Sequence, residues 1–453
     1  MEPMKRKLKA SLLLMCASVA LTGCGGGDAK RQGSEKAADS KSADPKSGAF
    51  QADTTPVKLT LFLDMTFGPE DNQQNFILEP LKKKYPHITL DIIKRAKGSY
   101  LEDLMAQGNT PDIIYNWNGE LPTYGEKGLL FDLEPLAKQL QFDLGRFDPA
   151  ALEAIRATTG GTALHGLPFE NGGMALFYNK DLFDKFGVPY PKDGITWDDA
   201  IELGKRLSRV DGDKTYKGLS ADVVDRLAMS LSLLPVDGKT NRASVNNDGW
   251  KRAFDLAKTI WSLPNNKPDK LNDTGQKSFL VDQTLAMDPT NNILYTSAQY
   301  FHPSKGLNWD VAQYPSFKDQ PNVSGALTPS TFAITKTSKH KEAALQVLDV
   351  VTSYEVQRQI VRGQGRLTSL KDPELQKQLG QDVDYLKDKN LKAFLLSKPA
   401  APKQYSQYNT SSNVILRKKF EDYFNGKDLN SALREAEEEI NSDIEKQMAA
   451  KGK

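Results

Sequence analysis

The chain has 453 residues, with 60 Lys and Arg against 58 Asp and Glu and 39% hydrophobic residues. That length predicts two or three domains, or two lobes sharing one chain, and a formal net charge of +2 lacks the basic footprint of a nucleic-acid binder. The two cysteines, Cys16 and Cys24, both fall at the N-terminus, which excludes a disulfide scaffold and a cysteine zinc site.

Lys5, Arg6, Lys7 and Lys9 form a basic stretch, Ala10 to Leu21 is an apolar run, and Leu21-Thr22-Gly23-Cys24 follows. The run is too short to span a bilayer, which takes about 20 apolar residues. The pattern resembles the bacterial lipobox. The resemblance implies a signal peptide over 1–23, cut ahead of Cys24, and a diacylated (palmitate-bearing) Cys24 thiol. Cleavage would remove four basic residues and Glu2, leaving 56 basic against 57 acidic residues. From Gly25 to about Pro56 there is almost no large apolar residue, so 24–56 reads as a lipidated, disordered tether with a reach of about 30 Å. Gly25 after the cysteine, together with the long tether, points to the outer face of a Gram-positive-like cell membrane.

The remaining residues alternate strand and helix signals. Val57–Leu63 is β-rich, Pro69–Lys84 has helical spacing through Phe76, Ile77 and Leu81, and Ile88–Ile93 returns to strand. Ser99–Gln107 reads as helix and Pro111–Tyr115 as a short buried strand. Strands separated by helices of this length predict parallel pairing with right-handed crossovers. Thr196 is placed as the N-cap of the next helix, with Asp199 returning the bond. Trp250, Ala253, Phe254, Ala257, Ile260 and Trp261 make the apolar stripe of another helix, and Lys341–Val351 and Leu429–Met448 add two more. In the last of these Leu433, Ala436, Ile440 and Ile444 mark the buried face, and the acidic run Glu435–Glu439 the solvated one.

Catalytic patterns are missing: there is no Walker sequence, no G-x-S-x-G, no H-E-x-x-H and no G-x-G-x-x-G. His87, His165, His302 and His340 have no metal-ligand spacing. Asp211-Gly212-Asp213-Lys214-Thr215 lacks the Gly and Glu that a calcium loop needs at its sixth and twelfth positions, which here are Tyr216 and Asp222. No cofactor and no metal is expected.

The segment from Leu164 to Leu207 carries His165-Gly166-Leu167-Pro168, Phe177-Tyr178-Asn179-Lys180-Asp181-Leu182-Phe183, Gly187-Val188-Pro189 and Thr196-Trp197-Asp198. It resembles the segment characteristic of family 1 extracellular solute-binding proteins, receptor subunits of ABC importers for sugars and related solutes. Pro111-Asp112-Ile113, Gly128-Leu129-Leu130, Leu285-Ala286-Met287, Asn308–Ala312 and Ser338–Ala344 extend the resemblance over nearly all of 57–445. It implies an α/β fold of two periplasmic-binding-protein-like lobes with a hinge and an interlobe ligand cleft. The crossings are expected at about Leu167–Asn171, Asn308–Ala312 and Arg362–Arg366. That gives an N-lobe of 57–168 and 312–363, and a C-lobe of 169–311 and 364–453, the last part helical.

Ligands of α/β lobes sit outside the carboxyl ends of the strands, and the loops there nominate the site. Asp64 follows the first strand. Trp117, Asn118 and Glu120 follow the strand ending at Tyr115, and Glu170 and Asn171 lie at the first crossing. Asp288, Asn291 and Asn292 follow Leu285–Met287, Arg366 follows the third crossing, and Tyr405 and Tyr408 precede the terminal helices. Carboxylates and amides pair with sugar hydroxyls, and aromatic faces take sugar C–H faces. The alternatives are a core position for Trp117, helix capping for Asn116, Asn118 and Asp288, an ion pair for Glu170, hinge packing for Arg366, and surface packing for Tyr405 and Tyr408.

The reading is a monomeric lipoprotein, attached to the membrane only through its lipid, that captures a carbohydrate and presents it to ABC importer permease subunits without covalent chemistry. The competing readings are a surface-anchored carbohydrate-active enzyme and a receptor of the same fold for a non-sugar solute.

Overall fold

The computed structural model describes residues 54–161 and 163–451. The expected signal peptide, Cys24 and the tether up to residue 53 lie outside the described residues. Among the described residues no helix is long and apolar enough to cross a membrane.

Val57–Leu63 (β1) pairs in parallel with Ile88–Lys94 (β2) and Ile113–Trp117 (β3), as strand–helix–strand spacing predicts. The connecting helical stretch Asp71–Lys84 contains a π turn at Gln74–Leu78. Pro80 explains it, since its ring would crowd the Phe76 carbonyl in a regular helix and it has no N–H to offer. Further strands are Leu167–Asn171 (β4), Met174–Asn179 (β5), Met287–Asn291 (β6), Trp309–Gln313 (β7), Ser330–Ile334 (β8) and Leu367–Thr368 (β9). They form a six-stranded sheet of order β9-β4-β8-β3-β1-β2 and a three-stranded sheet of order β6-β5-β7.

Not all pairing is parallel. β8 runs antiparallel to β3 and β4, and β9 antiparallel to β4. The chain leaves the larger sheet along β4 and re-enters it along β8, so these two must run in opposite directions. The carboxyl ends of β3 and β4 and the amino end of β8 therefore share one edge, where Ser330 lies opposite both Trp117 and Glu170. In the smaller sheet β6 and β7 are antiparallel to β5, and Asn291 and Gln313 lie opposite Met174 and Ala175. The edge of this sheet nearest the crossing is thus built from the start of β5 and the ends of β6 and β7.

The crossings fall partly elsewhere than expected. The first is the Gly172-Gly173 step between β4 and β5. At the second, β7 pairs with β5, Trp197 N–H donates to the Ser316 carbonyl, and Val323–Ser324 pairs with Lys398–Pro399. Residues up to 324 therefore stay with the smaller sheet, and the return to the larger one comes at Ser330 rather than at 312. At the third, Leu367–Thr368 still pairs with β4 and Leu370 bridges to Phe147, so the transfer lies beyond Leu370 rather than at 364.

β5 is buried along its whole length, and its period-2 alternation serves two cores. Ala175 and Phe177 join a cluster continuous with the larger sheet. Met174, Leu176 and Tyr178 join a second cluster with the helices Trp197–Leu207 (α1), Asp248–Trp261 (α2), Asn409–Phe424 (α3) and Leu429–Lys451 (α4). Thr196 and Asp199 form the expected capping box of α1. The stripe from Trp250 to Trp261 on α2 is buried, as are Leu433, Ala436, Ile440 and Ile444 on α4.

Candidate functional site

A cavity of about 810 Å³ opens where the edge of the six-stranded sheet meets that of the three-stranded one. At the crossing between them, a Cβ on Gly172 would lie 2.4 Å from Thr328 Oγ1 and one on Gly173 2.2 Å from Leu367 Cδ1. The three crossing segments thus touch at two glycines that leave no room for a side chain.

One wall comes from strand ends. Trp117 is the last residue of β3 and is half-buried. Its indole lies over Gly119, where a Cβ would fall 2.1 Å from the ring, and it meets the Tyr405 ring edge-on at 5.6 Å between centroids. Glu170 is 4% exposed. Its Oε1 accepts from Tyr295 Oη (3.0 Å) and Ser330 Oγ (3.1 Å) and lies 3.4 Å from Arg366 Nη1. Asn171 Nδ2 donates to Asp148 Oδ2 at 3.2 Å, while its buried Oδ1 has no hydrogen-bond partner among the described residues. The Glu120 carboxylate accepts from Thr123 Oγ1 (3.2 Å) and, across the cavity rim, from Thr410 Oγ1 (3.3 Å).

The opposite wall is helical. Asn409, Asn413 and Arg417, with Thr410 and Val414, line the cavity at i, i+4 and i+8 spacing on α3, while Ser412, Leu416 and Phe420 on the same helix are buried. This division of faces follows from the 3.6-residue period. Arg417 makes a two-pronged contact with Asp225 (2.6 and 2.8 Å). Arg226 Nη1 holds both oxygens of Asp222 (3.0 and 2.8 Å). Asn409 Oδ1 accepts from the Val236 N–H at 3.2 Å, leaving Nδ2 buried without a partner among the described residues, as is Asn413 Oδ1.

Of the residues nominated from sequence, Trp117, Glu120, Glu170, Asn171, Asn291, Asn292 and Tyr405 line this cavity. Asn292 also shapes its own turn, donating to the Gly365 carbonyl and accepting from Leu294 N–H. Burial raises the Tyr405 phenol to about 12, so it stays a neutral hydroxyl.

Asp64, Asn118, Asp288, Arg366 and Tyr408 are not in the lining. Asp64 is spent on Arg95, Asn116 and Tyr124. Asn118 Nδ2 donates to the Ala154 carbonyl. Arg366 is fully buried, stacked 3.8 Å from the Tyr295 ring and bonded to the Phe67 carbonyl, so packing accounts for its position. Tyr408 is buried in the second core. Asp288 sits inside the edge strand β6 rather than in a loop after it, 0% exposed, with neither carboxylate oxygen partnered among the described residues. Burial, and then the neighbouring Asp222 charge, push its carboxyl well above the usual range.

Asp148, Asp225, Arg226, Tyr295, Asn409, Asn413 and Arg417 line the cavity and were not nominated. The available signal was the polar i, i+4, i+8 series 409, 413, 417. Among the described residues no group of three or more His, Cys, Asp or Glu is placed to hold a metal ion.

Comparison with known proteins places this architecture. A binding protein of Brucella abortus is 25% identical over 282 residues, 58% of this chain and 66% of that protein; the match thus spans just under two thirds of that relative. The lactose-binding protein of Rhizobium radiobacter is 22% identical over 308 residues, 63% of this chain and 69% of that protein. Among solved structures, an ABC substrate-binding protein of Listeria monocytogenes in complex with cycloalternan superposes with a TM-score of 0.70 at 21% identity, covering 85% of this chain and 98% of that one. The fold is accordingly the two-lobed, periplasmic-binding-protein-like α/β fold. The family described as bacterial extracellular solute-binding protein matches residues 70–358, and the chain belongs to that family.

Proposed function

We propose that the protein captures a neutral sugar or oligosaccharide in the cavity between its lobes and delivers it to the permease subunits of an ABC importer. The observation that carries this is the joining, in one 810 Å³ cavity, of an aromatic pair, Trp117 and Tyr405, with carboxylates and amides from both walls. Aromatic faces accept the C–H side of a sugar ring and carboxylates and amides its hydroxyls. The two lining guanidiniums are already engaged, Arg417 by Asp225 and Arg226 by Asp222, which disfavours a phosphorylated or acidic ligand. The lactose-binding relative and the cycloalternan complex support the same reading. The protein works as a monomer without covalent chemistry, on the outer face of the cell membrane, held there by a diacylated Cys24; two acyl chains anchor firmly where one does not.

The test is isothermal titration of the full chain with a panel of neutral mono- and oligosaccharides, followed by chemical analysis of the sugar. Saturable binding with intact sugar is expected. Cleaved sugar would convert the reading to that of a surface enzyme, and no binding by any member would remove the carbohydrate.

A further inference from the structure

One peptide unit, the one joining Gln404 to Tyr405, lies between the two lobes. Its N–H donates to the Thr158 carbonyl at 3.2 Å, at the end of the helix Pro149–Thr158, whose Leu152 and Ile155 belong to the core of the larger sheet. Its carbonyl packs on Gly238, where a Cβ would fall 2.5 Å from the Gln404 oxygen and 2.7 Å from the Gln404 carbonyl carbon. Gly238 follows the short strand Val236–Asp237, and Val236 belongs to the second core. A trans peptide is planar and points its C=O and N–H to opposite sides, so this unit is a rigid wedge with one lobe on each side. Two side chains fasten the same segment to the helical lobe: Gln404 Nε2 donates to the Gly238 carbonyl (3.0 Å) and Ser406 Oγ to Asn241 Oδ1 (2.7 Å). Gln404, Ser406, Gly238 and Asn241 are all outside the cavity lining, whereas Tyr405 is part of it. Tyr405 is 7% exposed yet belongs to neither apolar core, and its ring is set edge-on against Trp117. A ring with no core behind it takes its position from its backbone, and here the backbone is held by both lobes.

Resting on the carbohydrate reading above, we infer that Gln404–Ser406 is an interlobe strap that sets the position of Tyr405 at the ligand, with Gln404 and Gly238 as positioning residues that act on sugar affinity through that ring. An aromatic platform is sensitive to placement, because a radial gap of about 0.5–1 Å already forfeits about a quarter to a half of the dispersion attraction between ring and sugar C–H atoms. Gly238 is absent from the glycines with left-handed backbone, so what opposes a side chain there is its contact with Gln404. That contact is with backbone atoms rather than with the far end of a flexible side chain. Bulk at Gly238 therefore has to displace the Gln404–Tyr405 peptide, and the Tyr405 Cα lies in the same plane.

The experiment titrates the full chain with lactose, mannotriose and cycloalternan, then repeats the tightest of these with Tyr405→Ala, Gly238→Ala and the double variant. Tyr405→Ala should bind at least about fivefold more weakly, the lower end of the scale for a base stacked on an aromatic ring. Gly238→Ala should lose about threefold or more. The double variant should bind no more weakly than Tyr405→Ala alone, because a displaced strap without its ring has nothing to misplace; independent sites would instead add. Wild-type affinity in either single variant, or additive losses in the double variant, overturns the strap while leaving the carbohydrate reading intact. A wild-type chain that binds none of the three sugars overturns the carbohydrate reading itself, and the strap with it. Should Gly238→Ala fail to fold, Gln404→Ala takes its place in the same cycle with the same expectation, since it removes the bond to the Gly238 carbonyl without adding bulk.

Discussion

The two walls of the cavity are built on different principles. The strand-end wall satisfies its own polar groups: Glu170 is occupied by Tyr295, Ser330 and Arg366, and register fixes Ser330 between Trp117 and Glu170. The helical wall leaves Asn409 Nδ2 and Asn413 Oδ1 buried without a hydrogen-bond partner among the described residues. Saturated polar groups give rigidity and shape, whereas a buried amide atom without a partner costs about 1–3 kcal/mol until it finds one. Asn171, at the tip of β4, is the exception on the strand-end wall, its buried Oδ1 likewise without a partner among the described residues.

This contrast can be broken most decisively at Glu170. Glu170→Ala leaves the fully buried Arg366 without its counter-charge and should cost about 3–5 kcal/mol of stability by chemical denaturation, with little change in the affinity of molecules that remain folded. The opposite result, a stable variant that binds poorly, would mean that the strand-end wall recognises ligand through Glu170. Next in size is Trp117→Ala. Loss of an aromatic platform should weaken sugar binding by about 1–3 kcal/mol, on the scale known for bases stacked on aromatic side chains. Because the indole is half-buried, the ligand-free melting temperature should fall less than for a core tryptophan. Titration and melting of the same variant separate the two roles.

Behind the helical wall lies a carboxyl that serves neither purpose. Burial and the Asp222 charge hold the Asp288 carboxyl above its usual range. Above a pH of about 4 the folded chain thus keeps a proton that the unfolded chain gives up, and stability declines with rising pH by up to about 1.4 kcal/mol per unit until the folded-state value is passed. Asn at 288 removes this linkage, so Asp288→Asn should melt increasingly above the wild type from pH 4 upward and match it below. Parallel melting profiles across that range would show that Asp288 finds a partner in solution. The smallest effect is expected at the rim, where Glu120→Gln weakens a single exposed hydrogen bond to Thr410 and should change melting by less than about 1 kcal/mol. A larger effect would make that contact a structural tie between the walls.

The sequence carried the strand-end wall well, because the rule that ligands sit at carboxyl ends of strands needs only the strand to be located. Pro111–Tyr115 pointed to Trp117 even though the strand runs on to include it, and the first crossing pointed to Glu170 and Asn171. Asp288 was misplaced for a local reason. Asp-Pro-Thr-Asn-Asn has the composition of a turn, but Pro289 is tolerated in β6 because that strand is at the sheet edge, and the strand carries Asp288 inside. The helical wall was illegible for a different reason. Asn409, Asn413 and Arg417 share a face by spacing alone, yet a polar helix face bordering a cavity has the same composition as one bordering bulk solvent. Only the tertiary placement of α3 distinguishes them. The later crossings were displaced because residues 314–324 and 367–370 stay paired with the sheet they are about to leave, a preference set by long-range pairing.

The Gly172-Gly173 step has a mechanical consequence. A Cβ on Gly172 would meet Thr328 and a Cβ on Gly173 would meet Leu367, so a side chain at either glycine would have to push the crossing segments apart. Bulk added at this step would therefore act on the spacing of the two sheet edges, and with it on the width of the cavity between them.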